Sequence, residues 1–234
     1  MKKLLTIVSS KDNNITTETF RAIQDFLKVD IESKWLASEK ACEIYFNSDK
    51  TVMVDDLVEY FNTRFYDWAY QSAQENNKRL FISDMDSTII KQGCIDEIAD
   101  LANLKEEVED ITRRAMGGEI AFTEALEKRV GLLKGIKLEL LNEIFRKIEF
   151  NDGAEKLLIN LNKQKIKTIL VSGGFTFFTE KISEKLNFQE NYANTLEVID
   201  GILTGKVIPP IIDSISKKNI LKKTINSHKL KNTD

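Results

Sequence analysis

The sequence predicts an α/β fold, a parallel sheet flanked by helices, preceded by a small α+β module. Three observations point there. Apolar runs of strand length, "RLFIS" and "KTILV", alternate with amphipathic helical segments, as in βαβ units. Both runs end abruptly in small polar or acidic residues. The stretch Ile95 to about Ile148 is almost wholly helical in pattern, which reads as a helical lobe inserted after the first of these strands.

In chain order, Leu4 to Val8 reads as a strand. "TTETFRAIQDFL" reads as a helix capped by Thr16 or Thr17, with Phe20, Ile23, Phe26 and Leu27 on one face. "ACEIYF" returns as a strand. "VDDLVEYFNTRFYDWAYQSAQENNKR" reads as one helix running into a polar connector near Glu75 to Arg79, which divides the chain into 1–76 and 77–234. After "RLFIS" the helical lobe, about 95–150, is broken at Gly117-Gly118 and at Gly135. "GAEKLLINLNKQ" is a helix, "KTILVS" a strand and "FTFFTEKISEKL" a helix. "TLEVIDGILTGKV" is a hairpin turning at Asp200-Gly201, and "SISKKNILKKTINSHKLKNTD" a helix with a polar tail.

Bulk composition narrows the function classes. The 234 residues carry 34 basic and 37 acidic side chains, a net charge of -3, which gives no reason to expect a nucleic-acid or membrane partner and favours a small-molecule ligand. Cys42 and Cys94 stand far apart without metal-type spacing and read as packing residues of a reducing compartment. The start has only a five-residue apolar run, too short for a signal-peptide core, and no stretch approaches about 18 apolar residues. A cytoplasmic location is expected.

The chemistry concentrates in three places. Asp84 and Asp86 leave the carboxyl end of "RLFIS" two residues apart, where strand alternation sends both carboxylates to one side and can hold Mg²⁺. "DMDST" also reads simply as a turn and helix start, because Asp, Ser and Thr are good caps. Ser172, Gly173 and Gly174 follow "KTILV" directly before a helix, a hydroxyl and backbone N–H groups suited to a phosphate, or else only a strand-to-helix turn. Lys217, at the start of the last helix, can neutralise phosphate oxygens, though by itself a lysine there is far more often an ordinary solvated one.

Taken in order, "DMDST", the helical insertion, "SGG" and the later lysine resemble the haloacid dehalogenase-like phosphatases. "CIDEIADLA", "RAMGGEIAF", "EALEKRVGLLKG" and "VSGGFTFFTEKI" are similar to the phosphoserine phosphatase branch of that family over roughly 79–221. The resemblance implies a Rossmann-like parallel sheet of the haloacid dehalogenase type with an inserted helical cap. It also implies a Mg²⁺-dependent phosphomonoester hydrolase of serine biosynthesis. Asp84 would be the nucleophile that forms an aspartyl-phosphate, and Asp86 the acid and base. Mg²⁺ would sit between Asp84, the Asp86 carbonyl, phosphate and water. Ser172, the Gly173 N–H and Lys217 would hold phosphoryl oxygens, and Arg129 would clamp the substrate carboxylate. Met116 and Phe122 would close over the substrate. The amino-terminal module is similar to ACT-like regions.

Two departures from the family qualify these expectations. The family's acidic residue for the substrate ammonium, seven positions after the second aspartate, is here Gly93, with the helix-packing Asp96 and Glu97 nearby. A "GDGAND"-type motif that adds a magnesium ligand does not follow; only 17 residues come after Lys217. These features predict a shortened chain with an open sheet edge that self-associates, and weakened activity. Two other functions fit the same residues: a phosphate-ligand-binding remnant without turnover, and a phosphatase for another small carboxylate-bearing phosphomonoester. A phosphoaccepting receiver fits worse, because its acidic pair is not followed by a long helical lobe.

Overall fold

The computed structural model describes residues 1–10, 13–47 and 54–231. The end of the polar tail expected after the last helix, residues 232–234, lies outside them. Contacts divide the chain into two compact units, Met1–Lys78 and Arg79–Asp234.

The first unit runs β1 (Lys2–Ser9), α1 (Thr17–Leu27), β2 (Ile31–Ala37), β3 (Ala41–Asn47), α2 (Val54–Asn62) and β4 (Tyr66–Ser72), ending in a 3₁₀ turn at Ala73–Glu75. The four strands form one antiparallel sheet in the order β2-β3-β1-β4, the connectivity of a split βαβ fold. Leu5 and Ile7 of β1 and Ile44 of β3 pack with Ile23 of α1 and with Leu57 and Phe61 of α2 in a buried cluster. The single helix expected over "VDDLVEYFNTRFYDWAYQS" is corrected here. It ends at Asn62, and Tyr66 to Ser72 is a strand. Tyr66, Trp68 and Tyr70 recur at every second position, the strand period, and Trp68 stacks on Phe61 with centroids 5.4 Å apart. The strand β2 went unread because its side chains are mostly exposed and carry no apolar alternation.

The second unit opens with β5 (Leu80–Ser83), followed by the helices α3 (Cys94–Leu101), α4 (Lys105–Met116), α5 (Phe122–Leu132) and α6 (Leu138–Lys147). The breaks expected at Gly117-Gly118 and Gly135 are present, the second glycine of the pair at φ 75° and Gly135 at φ 89°, conformations that suit a residue without Cβ. A further break at Ala102–Leu104 carries no glycine or proline and was not legible. Then come α7 (Ala154–Lys163), β6 (Lys167–Phe175), α8 (Thr176–Leu186), β7 (Glu190–Ile199), β8 (Ile202–Ile208) and α9 (Ser214–Ser227). The sheet order is β5-β6-β7-β8. The first three strands are parallel, and β8 is antiparallel to β7 through the expected hairpin, with Asp200 and Gly201 both at positive φ.

The strand β6 is buried on both faces, which explains its unbroken apolar run. On one face Leu170 and Phe175 join Phe178 and Ile182 of α8, Leu158 of α7 and the lobe residues Ile98, Leu126, Val130 and Leu141 in one core. On the other face Ile169 and Val171 pack with Ile212 and Ile220. The helical lobe and the sheet therefore share a core, which fixes the lobe over the carboxyl ends of β5 and β6. Among the described residues no helix is long and apolar enough to cross a membrane.

Candidate active site

The strand β5 stops at Ser83, so Asp84 and Asp86 lie in the turn that follows rather than on the strand itself. Their common orientation thus comes from turn geometry and not from the pleat, a correction to the expectation from spacing. Met85 between them is fully buried, and its carbonyl accepts hydrogen bonds from the N–H groups of Thr88, Ile89 and Ile90 at 3.2, 2.9 and 3.1 Å. That anchor turns the flanking carboxylates towards the cavity. Asp84 Oδ1 accepts from the Met85 N–H at 2.7 Å, and its Oδ2 is paired with Lys217 Nζ. Asp86 Oδ1 accepts from the Cys94 N–H at 3.2 Å, at the first turn of α3. Burial raises the Asp86 carboxyl above its ordinary range, opposed by the Cys94 N–H and assisted by the charges of Asp84 and Asp96. Cys94 is fully buried and Cys42 likewise, both as free thiols, as expected of packing residues.

Ser172 is fully buried near the end of β6, and its Oγ accepts from the Gly174 N–H at 2.8 Å. The strand continues to Phe175 and α8 begins only at Thr176, so the two glycines are extended backbone and not a helix N-terminus, contrary to the expected phosphate geometry. Close approach explains Gly174: a Cβ there would lie 2.9 Å from Asp86 Oδ2 and 3.1 Å from Ser172 Oγ. Gly173 is similarly overlaid by the ring of Phe122, 3.2 Å from where a Cβ would be. Lys217 stands in the first turn of α9, which is capped by Asp213 accepting from the Ser216 N–H at 2.7 Å. Arg129 of α5 is half-buried and donates to the Ala125 carbonyl and to Thr112 Oγ1, each at 3.3 Å. Burial lowers its pKa, with the Asp96 charge opposing.

One cavity of about 250 Å³ is lined by Asp84, Asp86, Phe122, Arg129, Ser172, Gly173 and Lys217, seven of the eight residues read from the sequence. Met116 is not among its lining residues; at the last position of α4, before the glycine turn, it is 86% exposed. Gly174, read with Ser172 and Gly173 from the sequence, completes the lining together with Ile95, Leu126 and Phe175, which were not singled out. Asn194 was missed as well. Fully buried in β7, it donates to the Gly173 carbonyl at 2.9 Å and the Ile212 carbonyl at 3.3 Å, and accepts from the Ile212 N–H at 2.8 Å. It ties the phosphate-side loop to the segment that leads into α9. The second Asn of "NYANTL" has no local signal for this, since both partners are distant in sequence.

As metal donors the cavity offers the hard oxygens of Asp84 and Asp86. Among the described residues no group of three or more His, Cys, Asp or Glu side chains could form a protein-only metal cage. The donor set fits Mg²⁺, which is commonly held by one or two carboxylates together with substrate phosphate and water.

The chain matches the family described as haloacid dehalogenase-like hydrolase over residues 81–233. It is 43% identical over 150 residues to a phosphoserine phosphatase of Archaeoglobus fulgidus, covering 64% of this chain and 44% of that one. It is 48% identical over 140 residues to a phosphoserine phosphatase of Idiomarina loihiensis, covering 60% of this chain and 64% of that one. The chain thus spans roughly half to two thirds of the length of these curated relatives. A solved structure described as a phospho-aspartyl intermediate analogue of phosphoserine phosphatase superposes with a TM-score of 0.62 at 37% identity, over 67% of this chain and 75% of that one. The paired aspartates after β5, the serine at the end of β6, the helical lobe above them and this match over the whole second unit place the chain in the haloacid dehalogenase-like hydrolase family.

Proposed function

We propose that the protein is a Mg²⁺-dependent phosphoserine phosphatase acting through an aspartyl-phosphate on Asp84. The observation that carries this reading is the convergence of Asp84, Asp86, Ser172, Lys217 and Arg129 on one cavity. The likeness to two phosphoserine phosphatases, and to a structure described as a phospho-aspartyl intermediate analogue, supports it.

In this mechanism Lys217 and the Ser172 hydroxyl hold phosphoryl oxygens. Lys217 exchanges its pairing with Asp84 for the phosphate as substrate enters, which frees the Asp84 carboxylate. An Asp84 oxygen attacks phosphorus, and the bond to the serine oxygen breaks. Asp86, whose protonated form is favoured by burial, gives its proton to that leaving oxygen. The Asp86 carboxylate then takes a proton from water, whose oxygen attacks phosphorus and releases phosphate and Asp84. The Asp84 carboxylate and the Asp86 backbone carbonyl would hold Mg²⁺, which would neutralise charge that otherwise repels the attacking carboxylate. Arg129 is placed to take the substrate carboxylate as a planar, bidentate donor.

The test is phosphate release from O-phospho-L-serine with Mg²⁺, for the chain and for Asp84→Asn. Turnover that falls by about a thousandfold or more in the variant is expected, because the nucleophile is removed. A chain that binds the ester with no turnover would replace this reading with a phosphate-ligand-binding protein.

A further inference from the structure

Arg129 lines the cavity from α5, half-buried, and forms no ion pair among the described residues. Two neutral oxygens hold it. Its Nε–H donates to the Ala125 carbonyl one turn earlier, and Nη1 donates to Thr112 Oγ1 on the neighbouring helix α4, each at 3.3 Å. Thr112 is itself committed: its hydroxyl proton goes to the Val108 carbonyl at 2.9 Å, the back-bond that a helical threonine makes to the residue four before it. A hydroxyl has one proton, so towards Arg129 the Thr112 oxygen can only accept. Of the five guanidinium N–H groups three remain, one on Nη1 and two on Nη2. A neutral acceptor fixes the rotamer without cancelling the charge, whereas a carboxylate in its place would compete with an anionic ligand. Thr112 is not among the cavity-lining residues, so it reaches a ligand there only through Arg129.

We propose that Thr112 is a positioning residue that sets the Arg129 guanidinium for a ligand carboxylate, and so governs selectivity between phosphomonoesters with and without one. The proposal rests on the preceding function in taking that carboxylate as the ester's own. A long side chain held in place before the ligand arrives loses less conformational freedom on binding.

The test is calorimetric binding to the full chain carrying Asp84→Asn, with Mg²⁺, of O-phospho-L-serine and of O-phosphoethanolamine, the same ester without its carboxylate. Thr112→Val, which keeps the shape and removes the acceptor, should weaken O-phospho-L-serine by about 10-fold, as for loss of a hydrogen bond to a charged group, and leave O-phosphoethanolamine within about threefold. Thr112→Ser keeps the oxygen and should restore most of the loss. Arg129→Met removes the group through which Thr112 acts, so on that background Thr112→Val should change affinity by less than about twofold. The two ligands and the double-mutant cycle separate lost positioning from lost folding, and a second ester too weak to measure leaves the cycle to decide. Equal weakening of both esters, no weakening by Thr112→Val, failure of Thr112→Ser to restore binding, a full effect on top of Arg129→Met, or no binding of O-phospho-L-serine at all would overturn the proposal. The function is read separately, from phosphate release by the unsubstituted chain: selective binding without hydrolysis would sink the phosphatase and keep Thr112, and hydrolysis with binding indifferent to Thr112→Val would do the reverse.

Discussion

Asp86, Ser172 and Gly174 meet within contact distance although 86 and 172 are far apart in sequence, and the absence of one side chain permits it. Gly174→Ala would drive a methyl group against Asp86 Oδ2 at 2.9 Å and Met85 Cε at 3.1 Å. A shift of the acid or of the hydroxyl by a fraction of an ångström should lower kcat/KM by about 10- to 100-fold, measured in steady-state phosphate release, with the melting temperature little changed. Asn194 acts through others. Asn194→Ala leaves the Ile212 N–H and the Gly173 carbonyl without their partner in a buried place, which should cost about 2 to 3 kcal/mol by urea denaturation. The capping Asp213 gives a sign for pH. The Ser216 N–H holds its carboxyl below the usual range, so its stabilising contribution is present above the unfolded value, about 3.9, and lost as pH falls through the lower folded value. Asp213→Ala should therefore lower the neutral plateau of the stability curve and shallow its acid limb, the two proteins converging in stability at low pH.

At the scale of elements, the strands and helices around the site were largely readable, and the failures have definite causes. The strand β6 announced itself because burial on both faces demands an unbroken apolar run, and the β7–β8 hairpin because Asp-Gly suits two residues at positive φ. The end of β6 was misplaced. Ser-Gly-Gly looks like a turn, yet pairing of Phe175 with Asn194 of β7 keeps the backbone extended. In the first unit, "YDWAYQS" was absorbed into the preceding helix because aromatic residues suit both periods over a short window. Pairing with β1, Ile7 opposite Trp68 and Leu5 opposite Tyr70, settled it. The helix α8 depends on the shared core for its place. Phe178→Ala, at a fully buried ring, should cost about 3 to 5 kcal/mol in the chemical denaturation of the second unit.

Across the whole molecule, two separate cores correspond to two units, one built on an antiparallel and one on a mainly parallel sheet. Among the described residues β5 hydrogen-bonds to β6 alone, and Leu80, Phe81 and Ile82 are only half-buried. An unpaired edge of this kind is a template for another strand. Sedimentation velocity should show association that grows with protein concentration, and a strict monomer at every concentration would contradict it. The sequence by itself determined the chemistry available: two aspartates, a serine with its glycines, a lysine and an arginine, each at the end of a readable strand or in a readable helix. Only the tertiary structure decided which of them share a cavity, sending Met116 to solvent, binding the phosphate-side loop to α9 through Asn194 and setting Thr112 against Arg129. Local pattern records the period of an element and the residues at its ends, whereas proximity between distant segments is set by packing and by hydrogen bonds whose partners lie tens of residues apart.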